Sequence, residues 1–395
     1  MRFVGVDIGG KAHVVAMVDE AGRTLLKPMA ITEDAAGYTR LREVLGDGGD
    51  TLVVLEATGH YWQNLFAVLT AAGFAVAVVN PLRTQRFAEE DLRRSKTDAI
   101  DALGLAHFGR QKRPEPTRLP DRATEELREL VHLRDRLVQD IGDRVRQLHR
   151  LVDLGFPEFT RHVAELDSPL ATAILCQYPT AAAFQGVAVE QLAGLRYGTH
   201  HHRVGEEMAQ ALLAAAASSV GQHHGEPYRR QICYAGEDLD LWRGRLRSAD
   251  DDIKRLLGAH DVGQLLTTIP GIGPQTAARL VARVGDPAAF PSAGALAAFV
   301  GVVPGLRQSG QRQGQRAGLH PLGHARRRAQ LWMPTLNAIR FNPWLRAYYQ
   351  RLLARGKVRK VAIVAAMRKL LIAVYAVAKS RRPFVPHVIS QETPA

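Results

Sequence analysis

The chain has 395 residues, 46% of them hydrophobic, a formal net charge of +13 and only two cysteines, Cys176 and Cys233. That length can bury at least two cores. Two cysteines exclude a small disulfide-built scaffold and fit a reducing cytoplasm. The opening residues do not read as a signal peptide. The most apolar stretch, 361–378, is interrupted by Arg368 and Lys369, so a buried or amphipathic helix is expected rather than a membrane span. The charge is segregated: Pro287–Gln391 holds 18 Lys and Arg and no Asp or Glu, which leaves 34 basic against 39 acidic residues elsewhere. An acid-free run of this length points to a polyanion-binding domain at one end of the chain.

In chain order, alternation and apolar runs predict strands near 2–7, 13–18, 24–31, 51–56 and 75–79, with helices near 34–45, 60–72 and 91–109. Such a pattern gives a mixed sheet flanked by helices, an α/β domain over 1–112. Asp7 ends the apolar run from Phe3, and Glu56 ends the run from Leu52. A carboxylate at the end of a buried strand is costly unless it is paired or binds a cation, so the two strands point to one acidic pocket. Asp98 and Asp101 lie three apart in a helical stretch, which sets both on one face. Four oxygen ligands in strand, strand and helix suit Mg²⁺ (or Mn²⁺) and the ribonuclease-H-like fold, with two ions clamping a phosphate in flight. The Gly9-Gly10 turn also permits a phosphate-binding hairpin of the actin and sugar-kinase type, but the second Gly-rich turn which that requires is not found.

The segment 112–120 carries three prolines and breaks all periodicity. Beyond it, 121–262 reads as a connector. Leu127, Leu130, Leu137, Ile141, Leu148 and Val152 form one stripe, and Ile232, Leu239, Leu246, Ile253 and Leu257 form another. Two long amphipathic helices, coiled-coil arms able to return antiparallel and to dimerise, are expected there. An Ala-rich helical insertion at 156–225 lies between them; its histidines, His200–His202 and His223–His224, lack the spacing of a zinc site. The last domain, 263–385, opens with Leu265 to Ala278, an apolar helix, a Gly271-Ile272-Gly273 turn and a small-residue helix start. This is a helix-hairpin-helix pattern, whose amides hold a DNA phosphate without reading sequence. A polar, glycine-rich loop follows, with Ser309 among Arg307, Arg312 and Arg316, and then Arg326, Arg327 and Arg328. Cations so placed can bind phosphates and stabilise charge if the serine attacks one.

With these motifs in order, the chain resembles the DEDD insertion-sequence transposases, relatives of the Piv DNA invertase that act as bridge-RNA-guided serine recombinases. The resemblance rests on the Asp7 hairpin, Leu55-Glu56-Ala57-Thr58-Gly59, Val79-Asn80-Pro81 leading to Lys96-Thr97-Asp98-Ala99-Ile100-Asp101-Ala102, Ile269 to Gly273, and Gly305 to Gly310. It implies a RuvC-like N-terminal domain in which Asp7, Glu56, Asp98 and Asp101 bind Mg²⁺, and Ser309 as a nucleophile that forms a covalent link to DNA. It also implies donor and target DNA as substrates, a structured bridge-type RNA as guide, and a dimer or tetramer in the synaptic complex. Such a protein would be cytoplasmic and nucleoid-associated. Two other functions are compatible with the residues: a metal-dependent Holliday-junction resolvase-like nuclease without a serine adduct, and a noncatalytic nucleic-acid-binding protein. Lys11 stands one place later than the family pattern has it, and the 156–225 insertion is longer than in compact relatives.

Overall fold

The computed structural model describes residues 1–90, 97–309, 312–319 and 325–386; the side chains of Glu90 and of 304–327 lie outside the described set. The chain divides into two compact units, Met1–Leu119 and Pro120–Ala395. In the first, β1 (Arg2–Asp7), β2 (Ala12–Val18), β3 (Thr24–Thr32), β4 (Thr51–Glu56) and β5 (Ala75–Val79) form one sheet in the order β3-β2-β1-β4-β5. β1 runs parallel to β4 and β4 to β5, while β2 is antiparallel to both β1 and β3.

The period of two along each strand sorts the side chains onto two faces. Val4 and Val6 of β1 with Val53 and Leu55 of β4 pack against α1 (Ala35–Leu45) and α2 (Trp62–Ala71), through Leu41, Leu45, Leu65, Phe66 and Leu69. The intervening residues, Phe3, Leu52 and Val54, pack on the other face with Phe87 of α3 (Pro81–Glu90) and Leu105, Ala106 and Phe108 of α4 (Asp98–Lys112). Each such buried aliphatic or aromatic side chain contributes about 1.5–3 kcal/mol. Helix α3 is absent from the sequence expectation, and the expected helix over 91–109 is observed as α4 from Asp98; 91–96 lie outside the described residues. The reason α3 was not legible is that Phe87 is its one buried large side chain among the described residues, so it carries no apolar stripe.

In the second unit, α5 (Arg122–Gly155) and α10 (Glu226–Gly258) pack side by side. Thr124 meets His260 just past the end of α10, Arg134 meets Asp250, and Arg144 meets Asp238, so the two helices run antiparallel. At one end their residues join α6 (Phe159–His162), α7 (Pro169–Gln177), α8 (Val189–Ala193) and α9 (Glu206–Ala217) in a core built on Phe156, Phe159, Ile174 and Phe184. A two-residue hairpin, β6 (Arg196–Tyr197) and β7 (His202–Arg203), carries the histidine run. Among the described residues no three His, Cys, Asp or Glu side chains form a metal-holding group, there or elsewhere.

The other end joins α11 (Asp261–Thr267), α12 (Pro274–Val284), α13 (Ala293–Val300), α14 (Ala325–Phe341), α15 (Pro343–Ala354) and α16 (Arg359–Ser380). The segment read as a loop around Ser309 forms an antiparallel pair, β8 (Pro304–Ser309) and β9 (Arg312–Leu319). Helix α16 is long and apolar enough to cross a membrane, but Ala362, Ile363, Ala366, Met367, Leu370, Leu371, Val374 and Val377 are buried in this core.

Candidate active site

Three local facts bring the acidic residues of the first unit to one end of the sheet. The β1–β4 register pairs Gly5 with Val54 and Val6 with Leu55, so Asp7 and Glu56 are the next residues on neighbouring parallel strands, about 4.8 Å apart in backbone spacing. By the same alternation that sends Phe3 and Val54 toward α4, Asp7 and Glu56 belong to the α4 face. Helix α4 then runs antiparallel to β1. A Cβ on Gly109 would lie 2.9 Å from Val54 Cγ2, and one on Gly5 would lie 2.1 Å from the Ala102 carbonyl and 2.3 Å from the Ala106 amide. One further helical turn, about 5.4 Å, carries the helix from Ala102 back to Asp98 and Asp101, toward the strand end where Asp7 sits.

The start of α4 is set by Thr97, whose hydroxyl accepts from the Ile100 amide at 3.3 Å. Asp98 and Asp101 thus fall in the first turn, where the helix dipole favours carboxylates. Asp98 is exposed; Asp7, Glu56 and Asp101 are half-buried. Glu56 has two neutral partners. Thr84 Oγ1 of α3 donates to Glu56 Oε2 at 2.6 Å, and Thr58 Oγ1 donates to Oε1 at 3.3 Å. Tyr61, 42% exposed, lies over the glycines of two adjoining turns: a Cβ on Gly10 would be 3.4 Å from its ring and one on Gly59 3.6 Å. Sequence reasoning missed both Thr84 and Tyr61, and neither carries a pattern that could have found it.

The donor set is oxygen-only and gathered by backbone placement at one sheet end, which fits a hard divalent cation. The four carboxylates do not draw together into a metal-holding group among the described residues. Glu56 is engaged by the two threonines.

On the opposite face of the sheet, fully buried His13 pairs through Nε2 with Glu33, which also accepts from Tyr38 Oη at 2.5 Å and Asn64 Nδ2 at 3.1 Å. Burial raises the Glu33 pKa, but these three hydrogen bonds outweigh it and hold the carboxyl below its ordinary range. Glu33 N donates to Lys11 O at 3.0 Å, so the network staples the hairpin that follows Asp7.

The second unit holds the remaining predicted residues. Gly271 has φ of +95°, and a Cβ there would be 2.3 Å from Ala338 Cα; it is where the turn packs onto α14. Gly273 caps α12, is exposed and has open space before it; Pro274 follows and has no N–H, so the first free amides of α12 are those of Gln275 and Thr276, and no side chain caps them. Arg328 Nη1 donates to Gly301 O at 3.4 Å. Ser309 stands at the end of β8, opposite Arg312 in the ladder, with Arg307 opposite Gln315 and Arg316 opposite Leu306. The side chains of Arg307, Ser309, Arg312, Arg316, Arg326 and Arg327 lie outside the described residues, as do Lys96 and Gly310.

Beneath α12, Asp135 of α5 accepts from Arg279 at 3.3 Å, from Arg283 and from Gln330 at 3.4 Å. Burial lowers the pKa of Arg279, against the pull of Asp135. The cluster ties α5, α12 and α14 into one body.

A five-stranded mixed sheet of this order, with acids ending β1 and β4 and opening a helix packed on β1, fits a RuvC-like DEDD fold, followed here by a mainly helical region. Known proteins agree. The DEDD transposase model of the IS110 group matches residues 4–157, and the model "Transposase IS116/IS110/IS902 family" matches 263–350. The chain is 28% identical over 390 residues to the insertion element IS116 uncharacterized 44.8 kDa protein of Streptomyces clavuligerus, covering 97% of this chain and 96% of the relative. It is 29% identical over 337 residues to the mini-circle putative transposase for IS117 of Streptomyces coelicolor, covering 78% of each. The pilin gene-inverting protein of Moraxella bovis is 26% identical over 340 residues, 84% of this chain and 81% of that one. The chain belongs to the IS116/IS110/IS902 family of DEDD transposases, and DNA is its substrate.

Proposed function

We propose that this protein cuts and exchanges DNA strands for an insertion sequence through a serine-DNA intermediate, with Mg²⁺ at the acidic tetrad and a bridge-type RNA choosing donor and target sites. The observation that carries the reading is the convergence of Asp7, Glu56 and the first turn of α4 at one end of the β1–β4 pair, in a chain whose relatives include a gene-inverting protein. In this reading Asp7, Glu56, Asp98 and Asp101 hold the cation, which supplies charge neutralisation at the scissile phosphate. Ser309 gives up its hydroxyl proton and forms an Oγ–P bond, while the P–O bond to the leaving deoxyribose breaks and that oxygen takes a proton. The phosphodiester energy is kept in the adduct, so rejoining requires no nucleotide cofactor. Arg307, Arg312 and Arg316 neutralise the phosphate, Arg326, Arg327 and Arg328 extend the cationic surface, and the α12 N-terminus at Gly273, with Gly271 shaping the turn, holds a backbone phosphate. The α5–α10 arms fit dimerisation, and assembly into a tetramer on two DNAs follows from pairing of dimers. The protein acts in the cytoplasm, on the nucleoid.

The test is a denaturing gel of protein incubated with Mg²⁺, the RNA from the element's end and matching donor and target DNA. A protein-DNA adduct in the wild type that disappears in Ser309→Ala and in Asp98→Ala is the expected result. Cleavage that persists in Ser309→Ala with no adduct in any sample replaces this reading with a metal-only nuclease.

A further inference from the structure

The corner between α15 and α16 breaks several rules of stable surface design at once. Arg351, Arg355, Lys357, Arg359 and Lys360 fall within ten residues, all exposed, and none takes part in an ion pair among the described residues. Gly356, with φ of +73°, makes the turn, and the space before it is open. Arg359 and Lys360 occupy the first turn of α16, where the helix dipole disfavours cations, and neither an acidic residue nor a capping side chain offsets them. Val358 and Val361 beside them are 70% and 55% exposed. Local rules broken together without an offsetting acid mark a functional surface. Behind the corner, Leu345 of α15 and Ala366, Met367 and Leu370 of α16 are buried in the core.

We infer that this corner docks the phosphate backbone of duplex DNA, as a contact additional to those proposed at the Gly273 turn and the Ser309 hairpin. The inference rests on the nucleic-acid reading given above and adds a place to it. Charge decides the occupant: five cations without an acidic partner, of which Arg351 at the end of α15 lies over the Tyr348 ring at 6.0 Å, repel one another, and a phosphodiester backbone relieves that repulsion while releasing condensed counterions. An anionic membrane offers the same charge, but the family's substrate is DNA, and α16 spends its apolar face on the protein core.

The experiment measures binding of the full chain to duplex DNA, to a structured RNA and to anionic vesicles over a series of salt concentrations. Wild type is compared with Arg355→Gln/Lys357→Gln/Lys360→Gln and with an equal charge loss at exposed positions of the first unit, Lys27→Gln/Arg40→Gln/Arg42→Gln. The corner variant is expected to flatten the slope of log K against log salt by about 2.7, at about 0.9 per lost phosphate contact. The loss is expected on duplex DNA, and a loss confined to the RNA overturns the inference. Its melting temperature should stay the same or rise, because repulsion is removed. Where the triple variant melts lower, Lys357→Gln alone should flatten the slope by about 0.9. Equal slopes for the corner and control variants overturn the inference, as does a loss confined to vesicles. A wild type that binds neither nucleic acid overturns the nucleic-acid reading itself.

Discussion

The hydroxyl of Thr84 reaches Glu56 from a helix with almost no apolar signature. Outer partners of this kind fix the orientation of a ligating carboxylate, and their loss costs about 10–100-fold in metal affinity. Thr84→Val is therefore expected to weaken Mn²⁺ binding, followed by Mn²⁺ EPR, by a factor in that range, with Thr84→Ser restoring it and Glu56→Gln abolishing it. Unchanged binding in Thr84→Val alongside loss in Glu56→Gln leaves Thr84 a purely structural residue. Asp7 and Glu56 could be read from sequence because a carboxylate ending an apolar strand is conspicuous. Thr84 could not, since one threonine in a charged run forms no pattern. The same holds for Glu33, whose partners His13, Tyr38 and Asn64 come from three other elements. Its pKa is lowered by folding, so its contribution is present above the unfolded carboxylate pKa and is lost as pH falls through the lower folded value. Glu33→Gln should flatten the fall in stability below pH ~4.5, measured by urea unfolding across acid pH.

At the level of elements, the close crossing of α4 over β1 depends on Gly5. Any Cβ there collides with helix backbone rather than with a side chain that could move. Gly5→Ala should lift α4 from the sheet and cost about 3 kcal/mol. Urea unfolding measures that cost, and activity should fall with it because Asp98 and Asp101 travel with the helix. In the second unit Asp135 serves Arg279, Arg283 and Gln330 together. Asp135→Ala leaves two largely buried guanidiniums without a counter-charge. It should cost about 3 kcal/mol, the lower end for broken buried pairs, since Arg279 keeps 30% exposure. The strands of the sheet and the paired long helices were legible as elements because their apolar periods run for many residues. Helix α3 and the β8–β9 hairpin were not. The former buries one large side chain, and the latter strings Gly, Gln and Arg between few apolar residues, so neither period stands out.

Over the whole molecule, the proline-rich break at 112–120 coincides with the division after Leu119. Arg118 is exposed there and lies outside any helix or strand. Brief trypsin treatment should cut after it first and leave two resistant fragments, identified by mass spectrometry; early cuts inside α5 or the sheet would speak against two independently stable units. Charge segregation was fully legible at this scale, because it is a property of composition. The placement of unpaired cations at one corner was not, because it depends on which arginines find acids elsewhere, as Arg381 finds Asp286.

The antiparallel pairing of α5 with α10 makes a lever. At about 1.5 Å per residue its 34-residue helix spans about 50 Å, with ion pairs at Arg134 and Arg144 bracing its length. A tilt of about 10° at one end displaces the other by about 9 Å over such a span. Because α12 packs on α5, any force applied at the Phe156 end is carried along this lever to α12 and its Gly273 turn.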